Sequence, residues 1–268
     1  MESARVAALV ARLQEALDGA ASVATRRWWE AYLKGAIAFR GVGIPRIRTE
    51  VAAWRVAHGI DAWRVADQLA LALRLFEEPL AEDKLAGILF LQEFLVDRVS
   101  WRDAFARYET LYRRRLIADW NTCDWFCVRV LGPTVAAHGG PCAAALATWS
   151  GSADLWQARS SVVGFVKGIA EREHHPLVLR SCAVLIQREE RFAKTAVGWV
   201  LRDLGQHDAA AALAFVEAHL PHFSTESLRN ALKHAPATTR ERLLGELAAG
   251  RRAAASASKP NRAKRSRP

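Results

Sequence analysis

Residues 69–95, LALALRLFEEPLAEDKLAGILFLQEFL, decide the fold. Leu69, Leu71, Leu73, Leu75 and Phe76 lead into Leu85, Ile88, Leu89, Leu91, Phe94 and Leu95, mostly at the three- and four-residue spacings of one helix face. Glu78-Pro79 interrupts them, and a proline cannot continue a helix, so the stretch reads as two helices joined by a turn. Alanine and leucine, both strong helix formers, fill the remaining positions. The pattern spreads in both directions. Val6, Leu9, Val10, Leu13 and Leu17 make an apolar stripe near the N-terminus. Further breakers stand at Gly41-Val42-Gly43-Ile44-Pro45, Gly132-Pro133, Gly139-Gly140-Pro141, His175-Pro176, Leu220-Pro221 and Ala235-Pro236, where helix hairpins are expected to turn. Strand alternation is nearly absent.

The step from Pro45 to Pro79 is 34 residues, from Pro133 to Pro176 it is 43, and from Pro176 to Pro221 it is 45. Such periods belong to stacked repeats of two or three helices, in the HEAT or armadillo manner. The expected fold is therefore all-α, a curved solenoid of helical repeats over residues 1–249. From Gly250 to Pro268 alanine, serine, lysine, arginine and proline replace core-forming residues, and a disordered basic tail is expected there.

The chain of 268 residues is long enough for a substantial core, and its balance of 51% hydrophobic and 25% charged residues is that of a soluble protein. The formal charge is +10, and seven of the positive residues follow Gly250 with no acid among them, which leaves about +3 for the body. A basic end of this kind favours a polyanionic partner, or simply solubilises the chain. Cys123, Cys127, Cys142 and Cys182 include no CxxC pair, and residues 1–20 are expected to form an amphipathic helix broken by charges and not a signal peptide. The longest stretch free of Lys, Arg, Asp and Glu, from Val130 to Ala153, is interrupted by Gly-Pro and Gly-Gly-Pro and is not a membrane span. A cytoplasmic, nucleoid-associated monomer is expected.

Three tryptophans stand out. Trp120 precedes Asp124 by four residues, Trp156 precedes Arg159 by three, and Trp199 precedes Arg202 by three. On a helix these spacings put each indole beside a charge on one face. The tryptophans recur after 36 and then 43 residues, so a stacked array would bring them onto one surface. Three indoles with a carboxylate and two guanidiniums suit a cationic group carried on a polyanion. Tryptophans at repeat spacing more often serve packing, and that reading is kept for Trp28, Trp29, Trp54, Trp63, Trp101, Trp125 and Trp149. Arg113-Arg114-Arg115 reads as a phosphate contact or a solvated helix face, and His174, His175, His219 and His222 read as surface histidines. Cys123 and Cys127 sit one turn apart without a second pair, so no metal site is expected.

These residues also carry a resemblance. Tyr32-Leu33-Lys34, Phe39, Gly41-Val42-Gly43-Ile44-Pro45, Lys84-Leu85-Ala86, Trp120 with Asp124, Trp156 with Arg159, and Gly198-Trp199-Val200-Leu201-Arg202 follow in order. Ser224, Arg229, Ala231, Leu232, Lys233 and His234 close the series. Over roughly Trp28 to His234 the chain resembles the bacterial DNA alkylation repair family of the AlkD type, HEAT-like-repeat DNA glycosylases. Thr195 stands where members often carry lysine, with Lys194 beside it. The resemblance implies a glycosylase domain over residues 1–249 that excises cationic N3- or N7-alkylated purines from duplex DNA, without a base-flipping pocket and without a cofactor. It implies Asp124, Trp120 and Trp199 as catalytic residues, and Arg159, Arg202, Trp156, Lys194, Arg229 and Lys233 as DNA contacts. Asp124 is expected to be ionised, with Arg159 lowering its pKa. The alternative is a helical-repeat scaffold that binds DNA or protein without catalysis.

Overall fold

The apolar stripe near the N-terminus becomes α1 (Ser3–Gly19), with Leu13 and Leu17 fully buried. Helices α2 (Val23–Leu33), α3 (Ile44–Ala57) and α4 (Val65–Arg74) follow. Residues 69–95 do form the end of one helix and the whole of the next. After α4 a 3-10 turn at Leu75–Glu77 leads past Pro79 into α5 (Ala81–Phe94). Next come α6 (Trp101–Arg113), α7 (Trp120–Phe126), a π-helical turn at Cys127–Leu131, α8 (Gly132–His138), α9 (Gly140–Thr148) and α10 (Leu155–Val163). The series ends with α11 (His175–Leu185), α12 (Arg191–Leu204), α13 (Ala209–His219), α14 (Thr225–Ala231) and α15 (Ala237–Ala257). This computed structural model describes residues 3–257, among which the one strand-like feature is an isolated bridge between Ala38 and Leu80. The protein is an all-α stack of helical repeats. Its contacts fall into two compact units, Met1–Ser181 and Cys182 onward.

The first unit is organised by α5. Its residues from Ala81 to Leu91 are all buried, including three consecutive charged ones. The Glu82 carboxylate accepts from the backbone N–H groups of Arg40, Gly41 and Val42 at 3.0, 2.8 and 3.0 Å. Asp83 pairs with the Arg40 guanidinium at 2.8 Å, and Arg40 also reaches Asp18 at 2.7 Å. Lys84 donates to the carbonyls of Phe76 and, at 3.0 Å, of Leu116. Burial pushes the Asp83 carboxyl up, with Arg40 opposing, and pushes the Lys84 ammonium down. Glu82 and Asp83 also lie in the first turn of α5, where the helix dipole favours negative charge. Gly41 takes φ 108°, and a Cβ there would strike the Ser22 carbonyl, so this loop needs glycine.

Most breakers act as expected: Pro45, Pro141 and Pro176 fall in the first turns of helices, and Gly139, at φ 68°, separates α8 from α9. Gly132-Pro133 does not. Phe126, Cys127, Leu131 and Gly132 keep right-handed helical dihedrals, so the chain runs from α7 into α8 without a hairpin. The widened turn explains how: Gly132 N–H reaches back five residues to the Cys127 carbonyl, and Pro133, which has no N–H, is carried past the backbone it would otherwise break. Two further expectations are corrected. His174 and His175 are buried: the His174 ring packs on Phe165, and His175 Nε2 lies 2.8 Å from the Ile169 carbonyl. The tail does not begin at Gly250, because the alanine-rich α15 continues to Ala257 and Arg251 donates to the Phe223 carbonyl at 2.7 Å. The rest of the expected tail lies outside the described residues.

In the second unit α12 and α14 pack closely. A Cβ on Gly198 would stand 2.5 Å from the Ser227 carbonyl oxygen and 2.9 Å from its Cα, both backbone atoms that cannot rotate away. Ser227 is itself fixed by a capping box with Ser224. Gly198→Ala should therefore destabilise the protein by about 1–3 kcal/mol, despite alanine's better helix propensity. Chemical denaturation would reveal this as a lower midpoint, while an unchanged or higher midpoint would contradict it.

Candidate functional site

Helix α7 begins at a well-formed cap. Asp119, in extended conformation, accepts from Thr122 N–H at 2.9 Å, and the carbonyl of Leu116 just upstream is held by Lys84. This places Trp120 in the first turn and Asp124 one turn later, both half-buried, while Cys123, Phe126 and Cys127 turn into the core. The π-helical turn follows directly after α7.

Helix α10 supplies the partner. Asp154 caps it by accepting from Trp156 and Gln157 N–H. Ser160 locks it against the neighbouring helices: its hydroxyl lies 2.8 Å from Tyr112 Oη on α6 and 3.2 Å from Cys127 Sγ, and bonds the Trp156 carbonyl at 2.8 Å. With Ser160 so fixed, the adjacent Arg159 lies buried and directs its guanidinium at Asp124. Arg159 Nε meets Oδ1 at 2.7 Å and Nη2 meets Oδ2 at 2.9 Å, a bidentate fork. The Asp124 side chain retains 15% of its exposure and that of Arg159 5%. Burial pushes the Asp124 carboxyl above the ordinary carboxylate value, and Arg159 pulls it back down. Arg159, charged in any case, is held more firmly so by Asp124. The expected net lowering of Asp124 is thus reversed, because desolvation outweighs the guanidinium.

The expected role of Arg159 as a phosphate contact does not fit this burial: its fork is engaged by Asp124. Trp156 is half-buried on the wall of a cleft of about 520 Å³, together with Arg113, Arg115, Ile117 and Leu155. Arg113 and Arg115 are exposed there, and Arg114 pairs with Glu77 at 2.6 Å. Cys123 and Cys127 are free and buried, and desolvation raises the Cys123 thiol far from reactivity. No group of three or more metal-binding side chains occurs among the described residues.

The second unit carries its own cluster, on α12. Trp199 Nε1 donates to Asp203 Oδ2 at 2.9 Å, Arg202 Nε bonds Asp203 Oδ1 at 2.6 Å, and the Arg202 guanidinium lies 5.9 Å from the centre of the Trp199 ring. Asp203 escaped the sequence reading, although Trp199 and Asp203 repeat the four-residue spacing of Trp120 and Asp124. Lys194 lies 3.6 Å from Glu189, while Arg229 and Lys233 are exposed on α14 and just after it. Trp28 was missed as well. It is exposed, unlike its buried neighbour Trp29, and stacks on Tyr32, whose ring meets Trp120 edge-on at 5.4 Å.

Comparison with known proteins matches the chain to one family. No curated protein matches the chain. Among solved structures, a predicted DNA alkylation repair enzyme from Enterococcus faecalis superposes with a TM-score of 0.69 at 18% identity, covering 81% of this chain and 97% of that one. That likeness shows a shared helical-repeat fold. The model of the family described as DNA alkylation repair enzyme matches residues 13–235, a span that includes α7, α10 and α12. The chain belongs to the DNA alkylation repair enzyme family.

Proposed function

We propose that the protein is a DNA glycosylase that releases cationic N3- and N7-alkylated purines, such as 3-methyladenine and 7-methylguanine, from duplex DNA. The observation that carries this reading is the half-buried Asp124, clamped by buried Arg159 and one helical turn from Trp120. Alkylation at N3 or N7 makes the purine a cation. When the C1′–N9 bond breaks, its electron pair passes to the base and neutralises it, and the positive charge appears on the sugar. Little acid catalysis is needed. A fixed carboxylate stabilises the oxocarbenium-like sugar and orients the water that adds to C1′, as in glycoside hydrolysis generally.

Asp124 suits both tasks. Arg159 occupies about half of the four lone-pair positions of a carboxylate and leaves the rest for water. Because the fork is built before substrate arrives, the charge need not reorganise during reaction. The half-buried face of Trp120 adds attraction for the cationic nucleotide, worth about 0.5–2 kcal/mol. In the second unit Trp199, joined to Asp203 and Arg202, offers an indole–cation pair to nucleic acid. Arg202, Lys194, Arg229 and Lys233, with Trp156, Arg113 and Arg115 on the wall of one cleft, provide sequence-independent contacts to the duplex. A cytoplasmic, nucleoid-associated monomer, needing no cofactor for this chemistry, completes the reading.

Asp124→Asn keeps the shape of the side chain and removes its charge. Release of 7-methylguanine from methylated duplex DNA should fall by a hundredfold or more, about 3 kcal/mol in barrier, with duplex affinity nearly unchanged. Release at the parent rate would reduce the Asp124–Arg159 pair to a structural ion pair and leave a DNA-binding scaffold without catalysis.

The pH dependence follows from the same pair. The acting form is the carboxylate, so the rate should drop as pH falls through the Asp124 pKa, and burial places that limb above the ordinary aspartate range. Arg159→Gln removes the group that holds the value down and should move the limb to still higher pH. The variant should also lose about 3–5 kcal/mol of stability, since an unpaired buried carboxylate remains. Single-turnover rates measured across pH on variant that is folded by circular dichroism decide the matter, and a limb that stays in place contradicts the mechanism.

Removing residues 258–268 takes away Lys259, Arg262, Lys264, Arg265 and Arg267 while sparing the bonds of Arg251. Non-specific duplex affinity should weaken and the slope of its logarithm against log salt should become shallower, by up to about 0.9 for each phosphate that is no longer neutralised. An unchanged slope would show that this segment does not touch DNA.

A further inference from the structure

Helix α2 carries aromatic rings that the packing of the first unit does not consume. Trp29 turns inward and stacks on Phe39 at 5.0 Å and 8°. Trp28 and Tyr32, one turn apart on the same helix, remain 59% and 52% exposed. Their rings are stacked on each other at 5.4 Å and 13°. Tyr32 then meets the Trp120 ring at 5.4 Å and 71°. Trp28, Tyr32 and Trp120 thus form one continuous row, which ends on the helix that carries Asp124.

The setting favours a flat ligand on a polyanion. Arg27 precedes Trp28 and Lys34 follows α2, both exposed, and Lys34 takes the left-handed conformation at φ 51°. Glu30, the single acid of α2, stands two residues from both Trp28 and Tyr32 and so on the other side of the helix. Exposed aromatic faces flanked by cations are what proteins offer to bases outside a regular stack. Because Trp28 and Tyr32 already hold each other in place, receiving a planar group costs little side-chain entropy.

We propose that Trp28 and Tyr32 form a stacking subsite for a flat aromatic group held beside the lesion, adjoining Trp120. This rests on the glycosylase reading of Asp124. The aromatic group has two possible sources: a polycyclic substituent on the alkylated purine, or a base next to the lesion that has left the stack.

Trp28→Ala and Trp28→Phe separate these sources, and the exposure of Trp28 makes both variants compatible with folding. The first measurement is the ratio of release of N7-(pyrenylmethyl)guanine to that of 7-methylguanine under single-turnover conditions. The second uses duplexes with 2-aminopurine beside an uncleavable abasic-site analogue, recording Kd and the emission change on binding. If the ligand is a polycyclic adduct, Trp28→Ala lowers the release ratio at least tenfold and Trp28→Phe restores most of it. If it is a neighbouring base, the ratio holds, while the emission change is lost and Kd weakens about tenfold. A Trp28→Ala protein within twofold of the parent in ratio, emission change and Kd overturns the proposal. Should the parent release neither base, the glycosylase reading falls, and the 2-aminopurine measurement alone decides the subsite by the same criteria.

Discussion

Three consecutive charged side chains buried in the first turn of α5 hold the first unit in register. Burying a carboxylate or an ammonium is costly unless every charge finds partners, and here each does so through the main chain or an opposite charge. Glu82 gathers the N–H groups of residues 40–42, Asp83 faces Arg40, and Lys84 ties the carbonyls of Phe76 and Leu116. The Glu82 clamp fixes the loop after α2, and Lys84 fixes the loop before α7. One helical turn therefore sets the two segments whose rings meet at Tyr32 and Trp120.

A second layer of constraint acts on the candidate carboxylate. Asp124 belongs to a short helix whose start is fixed by Asp119 and whose end widens into a π turn. Arg159 reaches it from α10, which is held by Ser160 against Tyr112 and Cys127. The Asp124–Arg159 pair gives up stability to gain position. A bidentate pair with both ions largely withdrawn from water contributes little net stability, yet it fixes a negative charge to within a hydrogen bond's tolerance. Such fixity suits a site that meets a developing cation, and the half-buried indole of Trp120 adds to the same electrostatic preference.

The second unit repeats the theme with different wiring. Asp203 joins the Trp199 indole to the Arg202 guanidinium, so the indole and cation are bridged by a carboxylate instead of facing each other alone. The close approach that Gly198 permits brings α14, with Arg229, against the helix that carries this cluster.

Apolar spacing and proline punctuation report directly on helices and their ends, and they were enough to establish the all-α repeat fold. Family-specific spacing also picked out Trp120, Asp124, Trp156, Arg159, Trp199 and Arg202. Reading the residues in line went astray wherever burial contradicts residue type. His174 and His175 look like surface residues, and Arg159 looks like a phosphate ligand, yet all are buried. Gly132-Pro133 looks like a hairpin turn, but a wider helical turn absorbs it. Trp28 shows the converse, an indole that reads as core and remains exposed. A linear pattern records which groups are one helical turn apart, as Trp199 and Asp203 are. Whether a charge is buried, and which partner from a distant helix neutralises it, depends on what packs across from it, and that is settled when the helices come together.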